Sequence, residues 1–260
     1  MQKMIVTGSE GFIGKALCRH LKERGVEVIE IDRKNGTEAE RIEEFIEGVV
    51  VVFHLAAQTS VFNDDIEQIK RDNIDTFMKV CDVCRRHKVK LVYASSSTAN
   101  GDNTTSMYGI SKRFDELYAK CYCKNATGVR LHNVYGPHPR KGTLLYNLTE
   151  YDEVVLYNYG QNIRCFTYIE DAVEGLIYAA WCNKTLINLA NIQPVAIEYV
   201  SELVRKYRQL KVNLIGDKRE YDNLRQEIDG SIYLVPLSYT PIEEGVKRIF
   251  YAKGKNARLG

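Results

Sequence analysis

The sequence predicts an α/β fold, a doubly wound parallel sheet with a smaller, interleaved C-terminal lobe. Three observations carry this prediction. Short apolar runs recur at Met4-Ile5-Val6, Val49-Val50-Val51-Val52-Phe53, Lys90-Leu91-Val92-Tyr93-Ala94 and Gly128-Val129-Arg130-Leu131, the pattern of strands buried on both faces. Segments of helical period alternate with them, as crossover connections between parallel strands require. A glycine-rich turn, Thr7-Gly8-Ser9-Glu10-Gly11-Phe12-Ile13-Gly14, joins the first run to the first helix.

That turn is the most informative stretch. The helix after it places Ile13, Ala16, Leu17 and Leu21 on one face. A strand, a glycine turn and a helix in this order aim the backbone N–H groups of the first turn, Phe12 and Ile13 among them, at one point. The positive end of the helix dipole faces the same point, which suits a pyrophosphate. Gly8 and Gly11 let the backbone turn and approach the phosphates, and Gly14 lets the helix pack on the strand. Val26 to Ile31 alternates like a second strand and ends at Asp32. A carboxylate there accepts hydrogen bonds from an adenosine ribose and repels a 2′-phosphate, which favours NAD over NADP. Arg33 and Lys34 follow directly and soften that discrimination.

Composition bounds the rest. The chain has 260 residues, 45% hydrophobic and 27% charged, with a formal net charge of +2. It is long enough for a full core, and its charge gives no reason to invoke nucleic acid or a membrane surface. The first residues enter a strand at once and no apolar run reaches spanning length, so the expected location is the cytoplasm. Seven cysteines (18, 81, 84, 121, 123, 165 and 182) are an odd number for a disulfide framework. Cys81, Cys84 and His87 would stripe one helix face, but no second ligand pair accompanies them, and no metal is expected.

After Asp32, Arg41 to Glu47 reads as a short helix stopped by Gly48. The run from Val49 leads into His54-Leu55-Ala56-Ala57, whose small residues let backbone lie against a cofactor; His54 itself reads as structural. Asp65 to His87 reads as one long amphipathic helix. The strand from Lys90 ends in Ser95-Ser96-Ser97, and a further helix runs from Met107 to Cys123. Beyond Gly136 the alternation loosens. Val154 to Leu156 and Phe166 to Ile169 read as strands, Asp171 to Trp181 as a helix and Leu186 to Leu189 as a strand. Ile197 to Leu210 and Pro241 to Tyr251 read as helices, the latter with Glu243 and Glu244 in its first turn. The expected division is a dinucleotide-binding domain over 1–137 and 163–190, and a substrate lobe over 138–162 and 191–260.

Tyr108 and Lys112 lie four apart on a predicted helix and so share a face. With the glycine turn and the serine cluster they make a set suited to hydride transfer. Removing hydride from a carbinol carbon requires the hydroxyl proton to leave, so a base must sit there. A free phenol titrates near pH 10, and working near neutrality needs a fall of roughly 3 units, about 4 kcal/mol. An ammonium about 5 Å away supplies on the order of 3 kcal/mol at an effective dielectric of about 20. A serine hydroxyl can hold the substrate oxygen as it becomes a carbonyl.

The ordered set Thr7-Gly8-x-x-Gly11-x-x-Gly14, Asp32, His54-Leu-Ala-Ala57, Ser95-Ser-Ser97 and Tyr108-x-x-x-Lys112 resembles the extended short-chain dehydrogenase/reductases, and within them the nucleotide-sugar epimerases and dehydratases. Arg130-Leu-His-Asn133-Val-Tyr-Gly-Pro137, the segment Gly160 to Asp171 containing Arg164, and Arg219-x-x-Asp222 are similar to later motifs of that family. The resemblance implies Tyr108 as the base and Lys112 as its electrostatic partner and a nicotinamide-ribose ligand. It implies Ser96 as the hydroxyl donor, with Ser95 and Ser97 as open alternatives, and Ser97 as a substrate contact. Gly8, Gly11, Phe12, Ile13, Gly14, Asp32, Arg33, Leu55, Ala56, Ala57 and Asn73 would contact NAD. Asn133 and Arg164 would hold the substrate diphosphate, and Arg219 with Asp222 the nucleotide.

Several departures from the family pattern stand out. The segment from Ser96 to Tyr108 is short, Asn100 replaces a common tyrosine, and Cys165 replaces an aspartate. The stretch from Asp32 to Val49 is too brief for a third strand and its adenine-contacting acid.

The function expected is a nucleotide-sugar 4-epimerase, with NAD-dependent oxidation at C4, a 4-keto intermediate and hydride return to the opposite face. The serine triplet lacks the Asp-Glu pair of the family's 4,6-dehydratases, which disfavours dehydration. A 4-keto-sugar reductase using NAD(P)H is the alternative, and a non-catalytic dinucleotide sensor is a third. The expected substrate is a UDP-sugar or a related nucleotide sugar, and the family's four-helix pairing implies a homodimer.

Overall fold

The computed structural model describes residues 2–101, 106–219 and 223–256, with the side chains of 255 and 256 excepted. Its first half follows the alternation of the sequence. Strand β1 (Lys3–Thr7) leads through the glycine turn into α1 (Phe12–Glu23), then β2 (Glu27–Ile31) and β3 (Val49–His54). Helical segments α2 (Ile66–Ile69) and α3 (Thr76–His87) precede β4 (Lys90–Ser96), and α4 (Met107–Tyr122) precedes β5 (Ala126–Leu131).

The second half is made of shorter pieces: β6 (Val134–Tyr135), α5 (Leu144–Glu150), β7 (Glu153–Leu156), β8 (Ile163–Cys165) and β9 (Thr167–Tyr168). Then come α6 (Ile169–Trp181), β10 (Leu186–Leu189), β11 (Pro194–Ala196) and α7 (Ile197–Arg205). Strands β12 (Lys211–Leu214) and β13 (Tyr233–Leu234) and helix α8 (Ile242–Asn256) complete it.

Seven strands form one parallel sheet in the order β13-β10-β5-β4-β3-β1-β2. The chain leaves β1 toward β2 on one side and returns to β3 on the other. The strand order therefore reverses beside β1 and opens a crevice at the carboxyl ends of the strands. Register brings those ends level: Thr7 lies opposite Ile31 and His54, and Ser96 opposite Leu131. Leu17, Leu21, Val173 and Leu176 pack α1 and α6 on one face, and Phe77, Val80, Cys84 and Ala119 pack α3 and α4 on the other. A third apolar cluster joins Leu145, Leu148, Leu156, Val200, Leu203, Val246 and Ile249 from the later elements.

Three expectations need correction. The helix expected over 65–87 is interrupted by a π-turn, Lys70–Asp75, which carries Asp72 and Asn73 inward; an extra residue per turn re-aims side chains that a regular helix would turn elsewhere. The helix expected over 197–210 stops at Arg205, because Lys211–Leu214 pairs with β7 instead. The helix expected from Asp171 begins at Ile169, shortening the strand before it to Thr167–Tyr168. The brief stretch after Asp32 does lack a strand: a 3-10 helix, Ala39–Phe45, fills it and leaves β2 at the sheet edge. No helix among the described residues is long and apolar enough to cross a membrane.

Candidate active site

A cavity of about 1080 Å³ lies over the carboxyl ends of the strands, between the glycine turn and the later elements. Gly8, Gly11, Phe12, Ile13, Gly14, Asp32, Arg33, Leu55, Ala56 and Ala57 line one end. The turn is folded hard against its surroundings. A Cβ on Gly8, whose φ is +72°, would stand 2.7 Å from the Ala56 nitrogen, and one on Gly14 would stand 2.1 Å from the Gly8 carbonyl oxygen. Gly11 starts α1 without any side-chain cap, so first-turn N–H groups are left for an anionic ligand.

Asp32 is held rigidly at the rim, its Oδ2 accepting from the Glu10 nitrogen at 3.1 Å and its Oδ1 from the Lys34 nitrogen at 2.9 Å. A phosphate-sized anion site followed by a fixed carboxylate fits a dinucleotide with an unmodified ribose. Arg33 donates to Glu38 at 2.7 Å and to Asp72 at 2.9 Å. Its charge is therefore neutralised by two carboxylates. Asn73 is the exception among the residues expected here, since it is absent from the cavity wall. Its amide instead clamps the Gln58 backbone, accepting at 2.7 Å and donating at 3.0 Å, and donates to Ser111 Oγ at 2.9 Å. It shapes the wall from behind.

Ser95, Ser96, Ser97, Tyr108 and Lys112 line the middle of the same cavity. Close packing of α4 on the serine loop brings them together: a Cβ on Gly109 would meet the Thr98 carbonyl oxygen at 2.8 Å. The serines differ in their commitments. Ser95 Oγ donates to Glu116 at 2.6 Å. Ser96 Oγ accepts from the Thr98 nitrogen at 3.2 Å and from Thr98 Oγ1 at 2.9 Å, which leaves its own O–H to donate. Lys112 is buried and bonded to Asp115, Nζ to Oδ2 at 3.0 Å. Burial works against its charge, but the Asp115 carboxylate and the Tyr108 phenol outweigh it and hold its pKa above the ordinary lysine value.

His54 is structural, as the sequence predicts. It is buried against Phe77, its Nδ1 lies 2.8 Å from Thr7 Oγ1, and burial with the nearby Lys112 charge depresses its pKa to about 3.

Asn133, Arg164 and Arg219 line the far end. Asn133 has a φ of +37°, uncommon for a residue with a side chain. Its Nδ2 donates to Gln226 Oε1 at 2.8 Å and to the Cys165 carbonyl at 3.2 Å. Arg164 is buried and donates to the carbonyls of Ile163 and Asn223, each at 2.7 Å. The Arg219 guanidinium lies 4.3 Å from the Phe62 ring centre and 5.4 Å from that of Tyr157. Asp222 lies outside the described residues. Cys81 and Cys84 are buried in the core, whereas His87 points outward to Glu43 at 3.1 Å.

Sequence reasoning missed Thr98, Gly109, Asp115 and Gln226. Gln226 meets Asn133 from a distant segment, Gly109 is defined by its packing on Thr98, and Thr98 and Asp115 act through side-chain geometry and burial that the sequence does not show. A spacing signal existed only for Asp115, three residues after Lys112 on one helix.

The profile of the NAD dependent epimerase/dehydratase family matches residues 4–188. An uncharacterized protein of Methanocaldococcus jannaschii is 29% identical over 95% of this chain and 94% of its own length. A UDP-2-acetamido-2,6-beta-L-arabino-hexul-4-ose reductase of Pseudomonas aeruginosa is 30% identical over 66% of this chain and 48% of its own. Among solved structures, the UDP-glucuronic acid 4-epimerase of Bacillus cereus, in complex with UDP-glucuronic acid and NAD, superposes with a TM-score of 0.81 at 21% identity, covering 98% of this chain and 100% of that one.

Proposed function

The chain belongs to the NAD-dependent epimerase/dehydratase family, and on that premise we propose that it inverts C4 of a nucleotide sugar, most simply a UDP-sugar. The observation that carries this reading is that Ser96, Tyr108 and Lys112 face one cavity with the glycine turn and Asp32. NAD, held by the glycine turn, Asp32 and Lys112, supplies a reversible two-electron acceptor for the sugar carbon. The residues then divide the proton work. Tyr108, as phenolate, takes the proton of the C4 hydroxyl. Ser96 donates a hydrogen bond to the same oxygen as its negative charge develops. Lys112 stabilises the phenolate electrostatically. When the opposite face of C4 is presented, the same phenol returns its proton, so no net proton or electron is exchanged with solvent.

Turning the sugar requires room and a fixed anchor elsewhere. The cavity provides the room, and Asn133, Arg164 and Arg219 are the proposed anchors for the diphosphate and nucleotide. The two-lobe division over 1–137 with 163–190 and 138–162 with 191–260 is part of the proposal, with the third apolar cluster packing the smaller lobe against Tyr135, Phe166, Tyr168 and Ile169 of the larger. So is a homodimer through α3 and α4. The outer face of α4 exposes Leu117 and Tyr122 and stacks Phe114, Tyr118 and Tyr122 ring on ring. Light scattering should give twice the chain mass.

The testing experiment screens UDP-, GDP- and dTDP-sugars for interconversion without added cofactor. Turnover on at least one is expected, and Tyr108→Phe should retain NAD while losing on the order of 10³-fold in rate. The relative from Pseudomonas aeruginosa favours 4-keto-sugar reduction as the second reading; obligatory consumption of NADPH would establish it in place of epimerisation.

A further inference from the structure

Behind the ammonium of Lys112 sits a carboxylate that does not itself reach the cavity. Asp115 is fully buried, does not line the cavity, and reaches Lys112 Nζ with Oδ2 at 3.0 Å. Its other oxygen, Oδ1, is buried without a hydrogen-bond partner. A half-satisfied carboxylate in the interior is costly, so a purely structural role is poorly served by it. An ammonium has three donors. Asp115, which does not line the cavity, takes one of them, and Lys112, which does, keeps two for other acceptors.

We infer that Asp115 is a positioning residue: it fixes the Lys112 ammonium in the cavity wall and sets how much of that positive charge reaches the Tyr108 phenol. The inference rests on the reading of Lys112 as the electrostatic partner of Tyr108. An ionised Asp115 keeps the buried lysine charged; a protonated one withdraws that support. The groups facing Asp115 are Lys112 and Glu116 on its own helix, Tyr93 on β4 and Cys81 on α3, with His54 on β3 facing Lys112. Burial pushes the Asp115 carboxyl up, Lys112 pulls it down and Glu116 adds a further rise, leaving it at about 7. That support therefore changes within the neutral range.

The test needs no turnover. Tyrosine labelled with carbon-13 at Cζ is titrated in the NAD-loaded protein, with Tyr108 assigned by its loss in Tyr108→Phe. Asp115→Asn keeps the shape and removes the carboxylate that offsets burial of the Lys112 ammonium, so the Tyr108 pKa should rise by about one unit. An unchanged or lowered value overturns the inference. Should Asp115→Asn fail to fold, the unaltered chain still decides: its Tyr108 resonance should show a small step near neutrality before the main ionisation, and a single-step curve overturns the inference equally. An inactive protein that shows the shift removes the epimerase reading alone, and an active one without it removes the inference alone.

Discussion

Arg130 holds Glu116 along one edge of its guanidinium, Nε and Nη2 each donating at 2.7 Å to a carboxylate oxygen, with both side chains no more than 3% exposed. Ser95 adds a third bond to the same carboxylate. The pair thus ties β5 to α4 and to the end of β4 directly beneath the serine cluster. Glu116→Ala would leave a buried guanidinium short of its partner. The expected loss is about 3–5 kcal/mol of stability, read as a lower midpoint in urea denaturation.

The serines separate by their bonds. Ser95 is committed to Glu116, whereas Ser96 keeps a proton to donate. Ser96→Ala should lower kcat by about 10²-fold with little change in KM. Ser95→Ala should cost about 1 kcal/mol of stability and change kcat less than Ser96→Ala does. Steady-state kinetics on the two variants checks this, and the reverse ranking would move the donor role to Ser95.

Gly14→Ala should abolish NAD retention, because its Cβ would overlap the Gly8 carbonyl at 2.1 Å and the obstacle is backbone. Gly230→Ala, where a Cβ meets nothing within 4 Å, is the control. Cofactor released from each purified protein on denaturation gives the comparison.

Selectivity for NAD is expected to rest on Asp32 with Arg33 restrained. Asp72 is itself held below the usual carboxylate range by Arg33 and Arg71, against the opposing effect of burial. Asp72→Asn removes one of the two negative charges that restrain Arg33, so NADP affinity should rise by about tenfold, the size of one charge-assisted contact. Fluorescence titration with both dinucleotides measures it, and a fall in NADP affinity would contradict it.

Two buried histidines predict the acid limb of stability. Burial depresses His54 to about 3, aided by the Lys112 charge, and His132 to about 4, aided by Arg130. Their folded values lie below the unfolded value of about 6.5. The unfolded chain therefore binds more protons in this window, and the stability present above pH 6.5 is lost as pH falls toward 4 and 3. Denaturation midpoints should drop across that window, and His54→Gln should flatten the drop.

Local patterns in the chain specified the parallel sheet, the glycine turn with Asp32, and the Tyr108-Lys112 spacing, because each rests on contacts among near neighbours or on a strand's apolar run. The same patterns overextended α7 and missed the pairing of β12 with β7, whose residues meet only after the chain returns. They gave no sign that a π-turn carries Asn73 against the Gln58 backbone. They left the three serines equivalent, and the folded chain distinguished them through Glu116 and Thr98. Sequence by itself determined which chemical groups are present and how the backbone runs. Tertiary structure decided which of them are spent on one another and which still face the cavity, since Ser95 meets Glu116 and Asn133 meets Gln226 only when distant segments pack together, and burial follows from the same packing.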